Sequence, residues 1–500
     1  MTKTKNKYTT IFLSLLVISI FYFFTRFQNL TSIPVFCDEA IYIRWAQIIR
    51  NVETLRFIPL TDGKQPLFMW LLAFGPLQFI TDPLVAGRLI SIVSGWITLL
   101  ALFISTCLIT NFNQKSKNIL SFLASSIKQK HPTGLIATVI YVFLPFTFFF
   151  DRLATPDNLL STFVIISFLL TLLLSKFPRL DLALILGGFL GLAWLTKSPA
   201  IYFLVLSFAT FAFTNYHQTK KLIYPAISVF IAYIFYNSLR LGPQFHMIAI
   251  RNQDYVWPLF EILKHPLDPL KPHISDTLSI FTKFISWPLI LLSILGIFGK
   301  KAKVRQQHLI LWLWPLLPFM ATASLTKVFT SRYILFIIPF FIIILAIGLK
   351  KIPKIFIVLV FSLNIIFIYN ISQKPFSQQL PSTETGYLVG WTSGWGIKQS
   401  ADYLKTRAQQ ANVIVGTEGS FGTLPDGLQI YTDGTPQLTV IGMGLGFTRI
   451  PDQLIDAKNY GDEVYLLINR SRLTIPDYNS FTILKQYPKP DGDQLLLLKI

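Results

Sequence analysis

The stretch Gly87–Thr110, GRLISIVSGWITLLALFISTCLIT, decides the fold, because it carries a single charge, Arg88, and that charge sits in its first turn. A helix needs roughly 20 predominantly apolar residues to cross the hydrocarbon core of a bilayer. Similar runs recur outward from this one, at about 9–27, 133–150, 158–175, 181–196, 199–215, 222–240, 280–299, 308–325, 333–349 and 355–372. Composition agrees. Charged residues are 14% of the chain and hydrophobic ones 52%, against roughly 25% charged in soluble domains. The 45 phenylalanines suit lipid-facing and bundle-packing surfaces. The expected architecture is a polytopic α-helical membrane protein with about 11–13 transmembrane helices.

Net charge is +20, which by itself would suit a nucleic-acid partner. Its distribution argues against one. From Gln373 onward there are 11 Lys and Arg against 12 Asp and Glu, so the excess lies among the apolar runs, in short loops. That is the positive-inside pattern. The first run follows Lys3, Lys5 and Lys7 and has no obvious small-residue cleavage site after it, so it reads as an uncleaved first span. Cys37 lies in a polar loop and Cys107 in an apolar run, and no disulfide is expected between them.

The 15-residue apolar segment Pro66–Ile80 is ambiguous between a span and an interfacial helix. If it does not cross and the N-terminus is cytoplasmic, the basic connectors fall on one side. These are Lys115/Lys117/Lys128/Lys130, Lys176/Arg179, Lys220/Lys221, Lys300/Lys301/Lys303/Arg305 and Lys350/Lys351/Lys354. If it crosses, the N-terminal lysines oppose all of them. The segment is therefore expected at the outer surface. The tail, 373–500, alternates strand-like runs (Val413–Val415, Leu438–Ile441, Glu463–Ile468, Gln494–Ile500) with turns and a helical stretch near Gly396–Gln410, and reads as a small extracytoplasmic α/β domain. The membrane domain is expected over 1–372.

With that topology six polar clusters face outward. Cys37-Asp38-Glu39-Ala40 follows the first span. It reads either as a helix start, with Asp38 as N-cap, or as a general base or metal ligand. Lys64, in Asp62-Gly63-Lys64-Gln65-Pro66-Leu67, is a snorkelling anchor or a partner for a lipid phosphate. Arg88 opens a span, Arg152 and Asp157 lie in the turn 151–157, and Lys197 and Arg332-Tyr333 sit at span ends. Each cation alone reads as an interface anchor. Anchoring, however, favours cations on the cytoplasmic side, and these converge on the other. Cations there can hold a phosphate and a carboxylate can take a proton from a hydroxyl. The loop 241–279 carries Arg251, Asp254, Tyr255, Trp257 and His265, which suit either an interfacial aromatic belt or a cover over an acceptor cavity.

These motifs resemble membrane glycosyltransferases of the GT-C type, family 39, which includes protein O-mannosyltransferases and the lipid A aminoarabinose transferase. The resemblance rests on Asp38-Glu39, Lys64-Gln65-Pro66-Leu67 (Gln for the family's first Pro), Arg88-Leu89, Arg152…Asp157, Thr196-Lys197-Ser198-Pro199 and Arg332-Tyr333, in that order over most of residues 9–350. Ser198, where the family often has Gly, is expected not to touch the chemistry. The resemblance implies a GT-C fold. It also implies inverting transfer of a sugar from a polyprenyl monophosphate, undecaprenyl- or dolichyl-type, to a glycan, lipid or protein acceptor outside the cytoplasm. Asp38 would be the general base and Glu39 would orient a substrate or exchange roles with it. Lys64, Lys197 and Arg332 would stabilise the leaving phosphate. Arg88 and Arg152 would do the same or pair with Asp157, with Tyr333 in support. No cofactor and no metal is required, although a divalent cation on the carboxylates stays an open alternative. Two other functions fit the same features: a transporter or flippase of lipid-linked sugar, which needs the cations but no base, and an oligosaccharyltransferase-like enzyme.

Overall fold

The computed structural model describes residues 2–215, 217–291, 306–350, 354–476 and 481–500. Six helices among these are long and apolar enough to cross a membrane: Lys7–Phe27, Pro83–Thr110, Pro156–Lys176, Thr219–Leu241, Gln306–Leu325 and Ser331–Leu349. The apolar helices Leu180–Thr196 and Ala200–Thr214, on the expected runs 181–196 and 199–215, are shorter than these six. The far end of the expected span 280–299, the connector Lys300–Arg305 and Lys351 lie outside the described residues.

Local chemistry accounts for where helices begin and break. Asp82 caps Pro83–Thr110, its Oδ1 accepting the amides of Leu84 (3.0 Å) and Val85 (3.2 Å), with Pro83 at the first helical position. The expected span 133–150 is not one helix. Pro145 offers no N–H and holds Leu144 extended, so the run divides into Ile119–Phe143 and Pro145–Phe150. The first of these begins at a cap, where Asn118 Oδ1 accepts the Ser121 amide at 2.8 Å. Lys128 and Lys130, expected in a loop, therefore stand on a helix.

Leu180–Thr196 packs along Ile223–Asn237. A Cβ on Gly187 or Gly191 would come within 2.7 Å of Ile231 or 2.6 Å of Phe235, so these two glycines, four apart, let the backbones approach as small residues do in membrane bundles. Phe146, Phe148, Phe149 and Phe150 are buried in the bundle, where three of them surround Phe284. By contrast Phe12, Ile20 and Phe24 of the first span point outward, as expected of a helix facing lipid.

The segment Pro66–Ile80 forms an eight-residue helix, Leu67–Phe74, and a short turn. It is too short to cross, and it packs on Cys37–Asn51, with Phe68 at 6.2 Å from Tyr42 between ring centroids.

The chain ends in a five-stranded sheet of order β2-β1-β3-β5-β4, with β1 Val413–Thr417, β2 Leu438–Gly442, β3 Glu463–Asn469, β4 Thr482–Pro488 and β5 Gln494–Lys499. β1 is parallel to β2 and β3, and β5 runs antiparallel to both β3 and β4. β3, EVYLLIN, is buried on both faces, so it reads as a continuous apolar run. The helices Ile397–Ala408, Asp426–Thr432 and Asp452–Asn459 complete this domain. It rests on Cys37–Asn51. Gln47 Nε2 donates to Ile430 O (2.8 Å), Arg44 pairs with Asp433 (2.8 Å) and Lys398 pairs with Asp82 (2.5 Å).

Candidate active site

Asp38 and Glu39 are adjacent in sequence and opposite in environment. The helix Cys37–Asn51 is capped by Phe36, not Asp38. Glu39, in the third helical position, accepts the Phe36 amide at 3.1 Å and forms the side-chain half of a capping box. Its carboxylate is fully buried. It takes a two-point contact from Arg88 (Nε 2.9 Å, Nη2 2.8 Å) and the Ala154 amide at 2.6 Å. Arg88 is equally buried and spends its remaining N–H groups on the carbonyls of Leu30 (2.6 Å), Ile33 (3.0 Å) and Pro34 (3.1 Å). Every strong donor and acceptor of the pair is used. The expected roles of Glu39 at a substrate and of Arg88 at a phosphate are therefore corrected. Together they lock the loop 30–36, the acidic helix and the turn 151–155.

Arg152 is also away from any opening. It is buried, gives Nη2 to Asn29 O at 2.5 Å and lies 4.8 Å over the Phe148 ring. Its neighbour Asp151 belongs to a separate buried group that sequence reading missed. Tyr22 (3.0 Å), Tyr141 (3.1 Å) and Arg26 (3.2 Å) all donate to it.

Asp38 faces the other way. Its carboxylate pairs with Arg332 and remains a quarter exposed. Burial opposes its charge. The Arg332 guanidinium, by charge and hydrogen bond, and then Lys64 and Lys197 outweigh that and hold the carboxyl below its usual range. Four of the expected residues thus share one electrostatic centre.

Beside it lies a cavity of about 280 Å³ lined by Lys64, Gln65, Asp157, Lys197, Ser198, Arg251, Tyr255 and Tyr333, with Ile201, Tyr202, Val256, Leu325 and Phe336 as apolar wall. Lys197 Nζ is 2.5 Å from Asp157 and 4.6 Å over the Tyr333 ring. Lys64 Nζ is 3.9 Å from Asp62 and 4.2 Å over the Tyr255 ring. Burial pushes both amines down, against the pull of Asp157 on one and Asp62 on the other. Arg251, from the loop 241–279, shares Asp62 with Lys64 through a 2.8 Å bond from its Nε. Of that loop, Arg251 and Tyr255 reach this cavity, while Trp257 and His265 line a neighbouring one. Asp157 has one buried oxygen without a partner among the described residues.

The two departures from the family's motifs turn out to be partners. Gln65 Nε2 donates to Ser198 Oγ at 2.7 Å, and both line the cavity. Ser198, expected away from the chemistry, lines the same cavity as Lys64 and Lys197. Among the described residues, no group of three or more His, Cys, Asp or Glu could hold a metal ion.

The bundle and its small sheet domain have the GT-C fold of membrane glycosyltransferases, as the motifs implied. Residues 118–238, which include Arg152, Asp157 and Lys197, match the family model described as dolichyl-phosphate-mannose-protein mannosyltransferase. Two solved structures of ArnT from Cupriavidus metallidurans are similar over 98% of both chains. One is bound to undecaprenyl phosphate (TM-score 0.59, 12% identity) and one is in the apo state (TM-score 0.60, 13% identity). Comparison with curated proteins finds no match.

Proposed function

We propose that this integral membrane protein is an inverting glycosyltransferase that moves a sugar from a polyprenyl phosphate to an acceptor hydroxyl. One observation carries the reading. A carboxylate held ionised stands among three cations, Arg332, Lys64 and Lys197, and the two lysines line a cavity that also has an apolar wall. Base and phosphate cradle adjoin, and the apolar wall suits a lipid chain. The undecaprenyl phosphate bound in one ArnT structure supports a lipid of that class.

In the proposed step Asp38 accepts the proton of the acceptor hydroxyl as its oxygen bonds to the anomeric carbon. The bond from that carbon to the phosphate oxygen breaks on the opposite face, and its electron pair leaves with the phosphate. Lys64, Lys197 and Arg332 meet the charge that develops there. Arg332 serves both groups. As the phosphate gains charge it draws on the guanidinium, and Asp38 gains basicity when a base is needed. Asp157 fixes Lys197. Tyr333 backs Lys197.

The proposed setting is the plasma (inner) membrane, with the N-terminus cytoplasmic, the domain 1–372 spanning and the domain 373–500 outside. The test is release or transfer of label from radiolabelled polyprenyl-phosphate sugars by purified protein, wild type beside Asp38→Asn. General-base removal predicts a loss of about 10²- to 10⁴-fold with undecaprenyl phosphate binding kept. Equal turnover by the two proteins rejects Asp38 as base. Lipid binding with no turnover by wild type, across acceptor classes, favours a carrier of lipid-linked sugar.

A further inference from the structure

The Asp38–Arg332 pair joins two distant parts of the chain, and one short segment touches the backbone beside each partner. This strap runs from Ser382 to Gly394, between the last span and the sheet domain. At one end Glu384, 1% exposed, accepts the amide of Ser331 at 2.6 Å, immediately before Arg332. At the other end Thr392 O accepts the amide of Cys37 at 3.1 Å, immediately before Asp38, and Gly394 donates to Val35 O at 2.8 Å. Between them the Tyr387 ring lies 4.2 Å from that of Phe36, the residue that caps the acidic helix.

The sheet domain in turn fixes the strap. Lys489, at the turn between β4 and β5, is 3% exposed and pairs with no carboxylate among the described residues. Its Nζ donates to the carbonyls of Gly390 (2.8 Å) and Ser393 (2.9 Å), and Asp491 accepts the Gly390 amide at 2.8 Å. A buried ammonium spent on two loop carbonyls is a costly way to hold a loop unless its position matters.

We infer that the C-terminal domain acts on the reaction through this strap, with Glu384 as the positioning residue that sets Arg332 against Asp38. This rests on the proposed transfer reaction for its consequence, but not for its geometry. Glu384 itself touches neither reacting group. It accepts from the Ser331 amide and, at 3.0 Å, from the neighbouring Thr383 hydroxyl, and both donors need an acceptor and not a charge. A reacting constellation displaced by about 1 Å loses on the order of 10²-fold in rate. Ground-state hold on the phosphate is left to Lys64 and Lys197, so loosening Arg332 should act on kcat far more than on donor KM.

The experiment uses the full-length protein in lipid nanodiscs and has two readouts, the cryo-EM position of Arg332 and the steady-state turnover of a polyprenyl-phosphate sugar that wild type accepts. Undecaprenyl phosphate affinity is measured alongside. Glu384→Leu, which fills the space without an acceptor, should move Arg332 off Asp38 and lower kcat about 10- to 100-fold, leaving KM and undecaprenyl phosphate affinity within about threefold. Glu384→Gln keeps the acceptor and should stay close to wild type. Lys489→Met, which frees the strap from the sheet at a distance, should move the same parameters in the same direction, and it carries the test if Glu384→Leu does not fold. An intact Asp38–Arg332 pair with full kcat in the folded variant overturns the inference. A displaced Arg332 in a protein whose wild type transfers no sugar leaves the positioning role standing and sinks the proposed reaction instead.

Discussion

Asp38 and Glu39 illustrate how little separates a reacting group from a structural one at the residue scale. One helical step, about 100°, turns Asp38 toward Arg332 and Glu39 toward Arg88. Two predictions follow from that division. Arg332 is the largest favourable influence on the charge of Asp38, so Arg332→Gln should raise the Asp38 pKa. A base with a depressed pKa stays active down to low pH, so the acidic limb of the pH–rate profile should move to higher pH in the variant. An unmoved limb in a variant that still turns over would separate Arg332 from the base. Arg88 makes the opposite prediction. Arg88→Ala leaves the buried Glu39 carboxyl without its partner, which should cost about 3–5 kcal/mol of stability and appear as a large drop in thermal unfolding temperature in detergent. A variant as stable as wild type would return Arg88 to the list of substrate-binding cations.

Among the elements, the loop that brings Lys64 to the cavity depends on one backbone conformation. Gly63 has φ +67°, and a Cβ there would come within 2.8 Å of Arg251 Cβ and 2.9 Å of Met247 O. Gly63→Val should therefore disturb both Lys64 and Arg251, at a cost of about 1–3 kcal/mol for the strained residue. Undecaprenyl phosphate binding should weaken, and unchanged affinity would remove this loop from the phosphate site. The same scale contains what sequence reading misplaced. β4, TILKQYP, was not anticipated because most of its residues are exposed at the sheet edge and the strand ends on Pro488. An edge strand of that kind lacks the apolar run that exposed β3 to the reader. The helix Ile119–Phe143 begins among polar and basic residues, so its first turns look like loop until the Asn118 cap is recognised.

For the whole molecule, the proposed orientation puts the sheet domain, the acidic helix and the cavity outside the cytoplasm. Tyr460 is 88% exposed on that domain, and Tyr460→Cys should react with a membrane-impermeant maleimide added to intact cells. Labelling only after lysis would invert the topology. Cys37 and Cys107, the two native cysteines, are partly or fully buried and give little background. The domain is not a free appendage in this arrangement. Its salt bridges to Arg44 and Asp82 and the strap beside Asp38 tie it to the end of the bundle that holds the candidate site.

The sequence alone determined that the chain spans a membrane, that it carries a GT-C-type set of motifs, and that its tail is a mixed α/β unit. Those properties are local. Hydrophobic length, motif order and strand pattern are written in neighbouring residues. It also named Asp38, Lys64, Lys197 and Arg332, which the fold gathers at one centre. Only the tertiary structure separated these from Glu39, Arg88 and Arg152, because whether a charged side chain meets a substrate depends on which distant groups already satisfy it. Glu39 is answered by Arg88 from 49 positions away and Gln65 by Ser198 from 133. Glu384 and Lys489 were invisible for the same reason. Their meaning lies in backbone groups of other segments, and a backbone amide or carbonyl leaves no mark in a sequence.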